Sequence, residues 1–145
     1  MSKFTNKFYE LSIEPNGKFV NWVMKGFWKD MSVVPDFNKD WDTILSEVKA
    51  PFVILADLTY MKVFVPEVQK ANDLKQQDIM KAGCVKTACL MANAESVTRV
   101  TLQKAVKDSG MDKVVQYFFV DGTDDQALAE GRSAQLIKAK AWLKN

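Results

Sequence analysis

The sequence predicts a single α/β domain over residues 1–145, ordered β-β-α-β-α-β-α-β-α, with a mixed sheet. An N-terminal antiparallel hairpin opens that sheet and parallel crossovers complete it. Three observations predict this. The apolar period is two in the first quarter of the chain and helical afterwards. The stretch "KFVNWVMKGFW" is apolar on both faces, as in a strand covered above and below. Short apolar runs then alternate with helical stretches, the pattern of βαβ units.

"FYELSIEP" sets Tyr9, Leu11 and Ile13 against Glu10, Ser12 and Glu14, a half-buried strand; residues 1–6 before it read as a loosely ordered tail. "EPNGK" turns the chain, with Pro15 suited to the first central turn position and Gly17 supplying a positive φ. The returning strand puts Val20, Trp22 and Met24 on one face and Phe19 and Val23 on the other. In "PDFNKDWDTILSEVKA" the residues Phe37, Trp41, Ile44 and Val48 form one helical stripe. Pro51 ends that region.

"FVILADL" is a continuous apolar run, the mark of a central strand, and the strand is expected to end on Asp57-Leu58-Thr59. "PEVQKANDLKQQDIMKAG" predicts a helix stopped by Gly83, its stripe running through Val68, Ala71, Leu74 or Lys75, and Ile79. Pro66 suits the first helical position, and Val65 as N-cap offers no side-chain acceptor. "CVKTACLM" is a strand, followed by a helix with Asn93 as N-cap and Gly110 as its stop. "KVVQYFFVDG" is the last strand. In the last helix Thr123 and Gln126 fit a capping box. Gly131 inside that helix costs roughly 1 kcal/mol relative to Ala, which implies close packing, most simply against the sheet.

Composition narrows the function classes. Twenty Lys+Arg against 18 Asp+Glu, interspersed along the chain, argue against nucleic acid. No stretch predicts a signal peptide or a membrane span, so a cytoplasmic location is expected. Cys84 and Cys89, five apart on a strand, should face opposite sides and behave as buried hydrophobes. The chain has no histidine. This removes Ser-His-Asp and Cys-His activation and every His-containing metal site. No cofactor or metal is expected, and no catalytic set stands out.

The element order, the segment "LADLTYMKVFVPEV" and the closing "AKAWL" resemble the STAS-like domains, the bacterial anti-sigma-factor-antagonist group with its CRAL-TRIO-related relatives. The resemblance implies a regulatory or binding module. In antagonist-type domains a serine at the start of the helix after this strand is phosphorylated to break a complex. Here the segment reads Phe64-Val65-Pro66-Glu67 and has no hydroxyl. The nearest hydroxyls, Thr59 and Tyr60, lie upstream and are the alternative sites of phospho-regulation.

The candidate ligand or interface residues are Phe27, Trp28, Met31, Asp57, Thr59, Met61, Phe64 and Met91. All are expected at carboxyl ends of strands, where ligands of open α/β sheets gather. This much apolar area in loops makes a satellite core, a pocket for a small apolar ligand, or an interface with a protein partner or second copy. An enzymatic alternative uses Asp57 and Asp121 as strand-end carboxylates. The bland role of Asp57 is bonding of local backbone N–H groups.

Overall fold

The structure, a computed structural model, describes residues 1–61, 65–108 and 110–145. Six strands lie in sequential order: β1 (Lys3–Thr5), β2 (Tyr9–Ile13), β3 (Phe19–Gly26), β4 (Phe52–Met61), β5 (Cys84–Ala92) and β6 (Val115–Val120). The β1–β2 and β2–β3 pairings are antiparallel, and β3 to β6 run parallel. The helices are α1 (Phe37–Glu47), α2 (Pro66–Lys81), α3 (Ser96–Asp108) and α4 (Asp125–Lys144). This is the expected α/β architecture with one additional edge strand. The tail contributes β1, and the Ser2 backbone N and hydroxyl both donate to the Glu47 carboxylate on α1, at 3.0 and 2.8 Å.

The two sheet faces carry separate cores. On one, Tyr9, Leu11, Val20, Trp22 and Met24 meet the stripe Phe37, Trp41 and Ile44 of α1 and Val68 and Ile79 of α2. Aromatic rings set this face: Trp22 meets Trp41 edge-on at 5.0 Å, and Phe37 lies within about 6 Å of Tyr9, Trp22 and Trp28. On the opposite face Leu55, Ala88, Leu90, Phe118 and Val120 pack under Ala139 and Leu143 of α4. Gly17 takes φ +73° in the first hairpin, as its turn requires.

Gly131 explains the depth at which α4 sits. A Cβ there would meet the Asp121 carbonyl oxygen at 2.9 Å and Val120 Cγ1 at 3.2 Å. The Gly131→Ala variant is therefore expected to lose about 1 kcal/mol, although alanine alone favours the helix by a similar amount. A raised urea midpoint would show that α4 yields there freely.

Several local expectations are corrected. Strand β4 runs on through Asp57 and Thr59 to Met61, because Lys25 and Gly26 of β3 pair with Tyr60 and Met61. An extra residue in β4 between the Val23–Asp57 and Lys25–Tyr60 pairs forms a bulge there. A second bulge, at Val85, separates the Phe52–Cys84 and Val53–Lys86 pairs. That shift turns Cys84 onto the same side as Thr87, whose hydroxyl lies 3.5 Å from its sulfur. Cys84 and Cys89 consequently share the α1–α2 face instead of opposite faces, as free thiols.

The helix caps differ as well. Asn93 takes φ +50° and exchanges side-chain hydrogen bonds with the backbone of Gly122, at 2.8 and 3.0 Å, so it ties β5 to the loop after β6. It is not the cap of α3, which begins at Ser96. Helix α4 is capped by Asp124, whose carboxylate accepts from Ala127 N at 2.7 Å, and not by Thr123. A carboxylate at that position also meets the positive end of the helix dipole.

Candidate functional site

The strand-end residues do not assemble into one pocket. Trp28 is fully buried, and its Nε1 donates to the carbonyls of Phe8 and Lys25 at 3.2 and 3.1 Å. Met31 and Met61 are half-buried against the same core. These three form the satellite-core arrangement. Phe27 points outward at 49% exposure. Phe64, with its neighbours Lys62 and Val63, lies outside the described residues. Of the seven described candidates, Met91 alone borders the cavity described below.

Asp57 is 2% exposed and accepts three hydrogen bonds. Its Oδ1 accepts from the Thr59 backbone N at 3.0 Å and the Thr59 hydroxyl at 2.6 Å. Its Oδ2 accepts from Arg132 Nε on α4 at 2.6 Å, and the same guanidinium lies 5.8 Å from the Tyr60 ring. The bulge in β4 is what brings Asp57 and Tyr60 to one face despite their spacing of three. Asp121 is bonded to a different arginine, Arg99, which also stacks over Phe119. The two carboxylates thus brace separate helices to the sheet. Three donors hold the Asp57 carboxylate in place between β4 and α4. The start of α2 is occupied too: the Glu67 carboxylate accepts from Met31 N at 2.5 Å.

The open space lies between α2 and α3, on the α1–α2 side of the sheet. None of the described residues of α3 is buried, and the helix packs chiefly against β6. An inner cavity of about 200 Å³ results. Its floor is Trp22, Met24, Ala56, Thr87, Cys89, Met91 and Tyr117; its walls are Asn72, Asp73 and Gln76 of α2 and Leu102 of α3. A groove of about 630 Å³ shares Gln76, Val115 and Tyr117 with it and runs past Met80, Val106 and Met111. Volumes of this order suit small molecules.

Two cavity-lining side chains have buried polar atoms without a protein partner, Trp22 Nε1 and Asn72 Oδ1. The amide nitrogen of Asn72 is directed at the Met24 sulfur, 3.9 Å away. Buried polar groups are normally paired, and an orphan costs about 1–3 kcal/mol. Trp41 Nε1 is also unpartnered, but it sits in the α1 core.

The cleft resists negative charge. Burial, then the Asp57 carboxylate, pushes the Cys89 thiol up to about 12. Burial, followed by Cys89 and Asp73, raises the Tyr117 phenol to about 12. The folded chain therefore keeps protons that the unfolded chain releases. Their stabilising contribution is complete below about pH 9 and is lost as pH rises toward 12. Urea midpoints are expected to fall through that window, and to fall less steeply in a Cys89→Ala, Tyr117→Phe variant. An unchanged slope would place both groups in water. Tyr9, raised above the usual phenol range by burial and by its 2.5 Å bond to Asp40, contributes a fall of the same sign in both proteins.

Sequence reasoning missed the cleft because Trp22, Met24, Cys89 and Tyr117 read as core positions. The legible signals were the weak stripe of α2, with Asn72 and Lys75 facing inward, and the exposed valines of α3. Among the described residues no group of three or more Cys, Asp or Glu side chains could hold a metal ion, and no helix is long and apolar enough to cross a membrane. No family model, no curated protein and no solved structure matches the chain.

Proposed function

We propose that the chain is a non-enzymatic, STAS-like binding module that takes a small, largely apolar ligand between α2 and α3. The observation that carries this reading is an open, mostly apolar cleft lined by Trp22 and Asn72, each with a buried polar atom that no described residue pairs. A ligand that pairs such atoms would offset the cost of burying them. Support for the STAS-like assignment is the opening hairpin, the parallel crossovers and the placement of the last helix alone on the second face. The self-filled packing of Trp28, Met31 and Met61 moves the ligand away from the strand-end loops. The pairing of Asp57 with Arg132 and of Asp121 with Arg99 supports binding over catalysis.

The test is titration with Nile red, a neutral apolar dye, against the wild type and Gln76→Trp. Gln76 stands where the inner cavity meets the groove, so an indole there narrows the passage. The expected result is a roughly tenfold weaker dye affinity, equal to about 1.4 kcal/mol, with an unchanged circular dichroism spectrum. Dye binding that ignores the substitution contradicts the cleft as the site.

A further inference from the structure

The cleft has a direction. Along α2 the inner cavity spans Gln69 to Gln76 and the groove spans Gln76 to Lys81, a path of about 18 Å. Trp22 and Asn72, each carrying a buried polar atom unpaired among the described residues, line the inner end, and methionines and valines the outer one. Trp22 is 3% and Asn72 8% exposed, so neither reaches bulk water, and one is a donor and the other an acceptor. Among the described residues, Asp73 is the single charged side chain of the inner cavity, and no lysine or arginine borders it. A carboxylate or phosphate placed there would lose its hydration, gain no cation from the described residues and face Asp73.

Resting on the cleft reading, we infer that the ligand is an uncharged amphiphile whose head both accepts and donates a hydrogen bond. An alcohol or a primary amide has this character. Trp22 Nε1 donates to the head, Asn72 Oδ1 accepts from it, and the hydrocarbon tail leaves between Met80 and Met111. Cys89 and Tyr117, whose ionisation is pushed up by burial, add no charge to that wall at physiological pH. Lys81 stands at the outer end, too far along α2 to meet the head.

Calorimetric titrations with decanamide, decanol and decanoate test the assignment. Decanamide and decanol are expected to bind, and decanoate at least roughly tenfold more weakly, since a buried charge is uncompensated. Trp22→Phe and Asn72→Leu should each weaken decanamide by about tenfold and leave Nile red nearly unaffected. The same two variants should unfold at equal or higher temperature without ligand, because each removes an orphan polar atom. A merely structural role for Trp22 or Asn72 predicts the reverse, lower stability with unchanged headgroup preference.

Equal binding of decanoate and decanamide, or decanamide failing to bind while Nile red still responds to Gln76→Trp, overturns the head assignment and leaves the cleft reading standing. Decanoate binding that disappears in Lys81→Ala but survives Trp22→Phe would show the opposite orientation and also overturn it. Nile red indifferent to Gln76→Trp removes the cleft reading, and the head assignment with it.

Discussion

Replacing Trp28 by alanine is expected to lower unfolding free energy by about 4 kcal/mol, among the largest effects of any single substitution in this chain. The indole is fully enclosed, touches the rings of Tyr9 and Phe37 at 6.0 and 5.7 Å, and its nitrogen holds two carbonyls. Truncation opens a cavity and removes the indole donor from the Phe8 and Lys25 carbonyls, although Phe8 O keeps the Lys25 N–H at 2.9 Å. Neighbouring Phe27, half exposed, should lose no more than about 0.5 kcal/mol on the same truncation. Urea denaturation of the two variants separates them. A loss under about 1 kcal/mol for Trp28→Ala would make the indole a loop side chain available to a ligand.

The second large effect is at the Asp57–Arg132 brace. Arg132→Ala leaves a carboxylate that is 3% exposed without its cation, a situation that costs about 3–5 kcal/mol in buried pairs. Because the Arg132 side chain keeps 31% of its surface, the expected loss lies at the low end, about 3 kcal/mol. Removing both partners, as Asp57→Leu with Arg132→Met, should recover most of it, since no charge is then stranded. A loss of a few tenths of a kcal/mol for Arg132→Ala would class the pair with exposed ion pairs. It would also reopen Asp57 as a chemical group.

These outcomes bear on what the chain discloses before it is folded. Elements with strong periodicity were legible: the alternation of Tyr9, Leu11 and Ile13, the stripe of Phe37, Trp41 and Ile44, and the apolar run from Phe52 all occupy their expected places. Strand ends were less so. Asp57 and Thr59 look like a terminus because both are polar, yet β3 offers pairing partners as far as Met61. Only tertiary pairing extends the strand. Bulges are likewise invisible to a period-two count, which places Cys84 and Cys89 on opposite faces, whereas the extra residue at Val85 brings them to one.

The candidate site was harder still, for a physical reason. An apolar residue at a strand interior reads the same whether a helix covers it or a cleft leaves it open. Trp22, Cys89 and Tyr117 carry no mark of that difference; the height of α3 above the sheet decides it. Loops rich in Phe, Trp and Met drew attention because such loops should be polar. Much of that apolar surface, Trp28, Met31 and Met61, is consumed by the first core. Lys75 makes a related point: it is 4% exposed and bonded to Asp42 at 3.1 Å, while Leu74 beside it faces water. Helical phase, not residue class, chose between them.

The most direct test of the cleft is a map of amide chemical-shift changes as decanamide is added to isotopically labelled protein. The changes should concentrate at Trp22, Asn72, Gln76, Cys89, Met91 and Tyr117, and the indole N–H signal of Trp22 should move as it gains an acceptor. Changes centred on Phe27, Met31 and Met61, with the Trp22 indole signal fixed, would contradict the account and return the site to the strand-end loops.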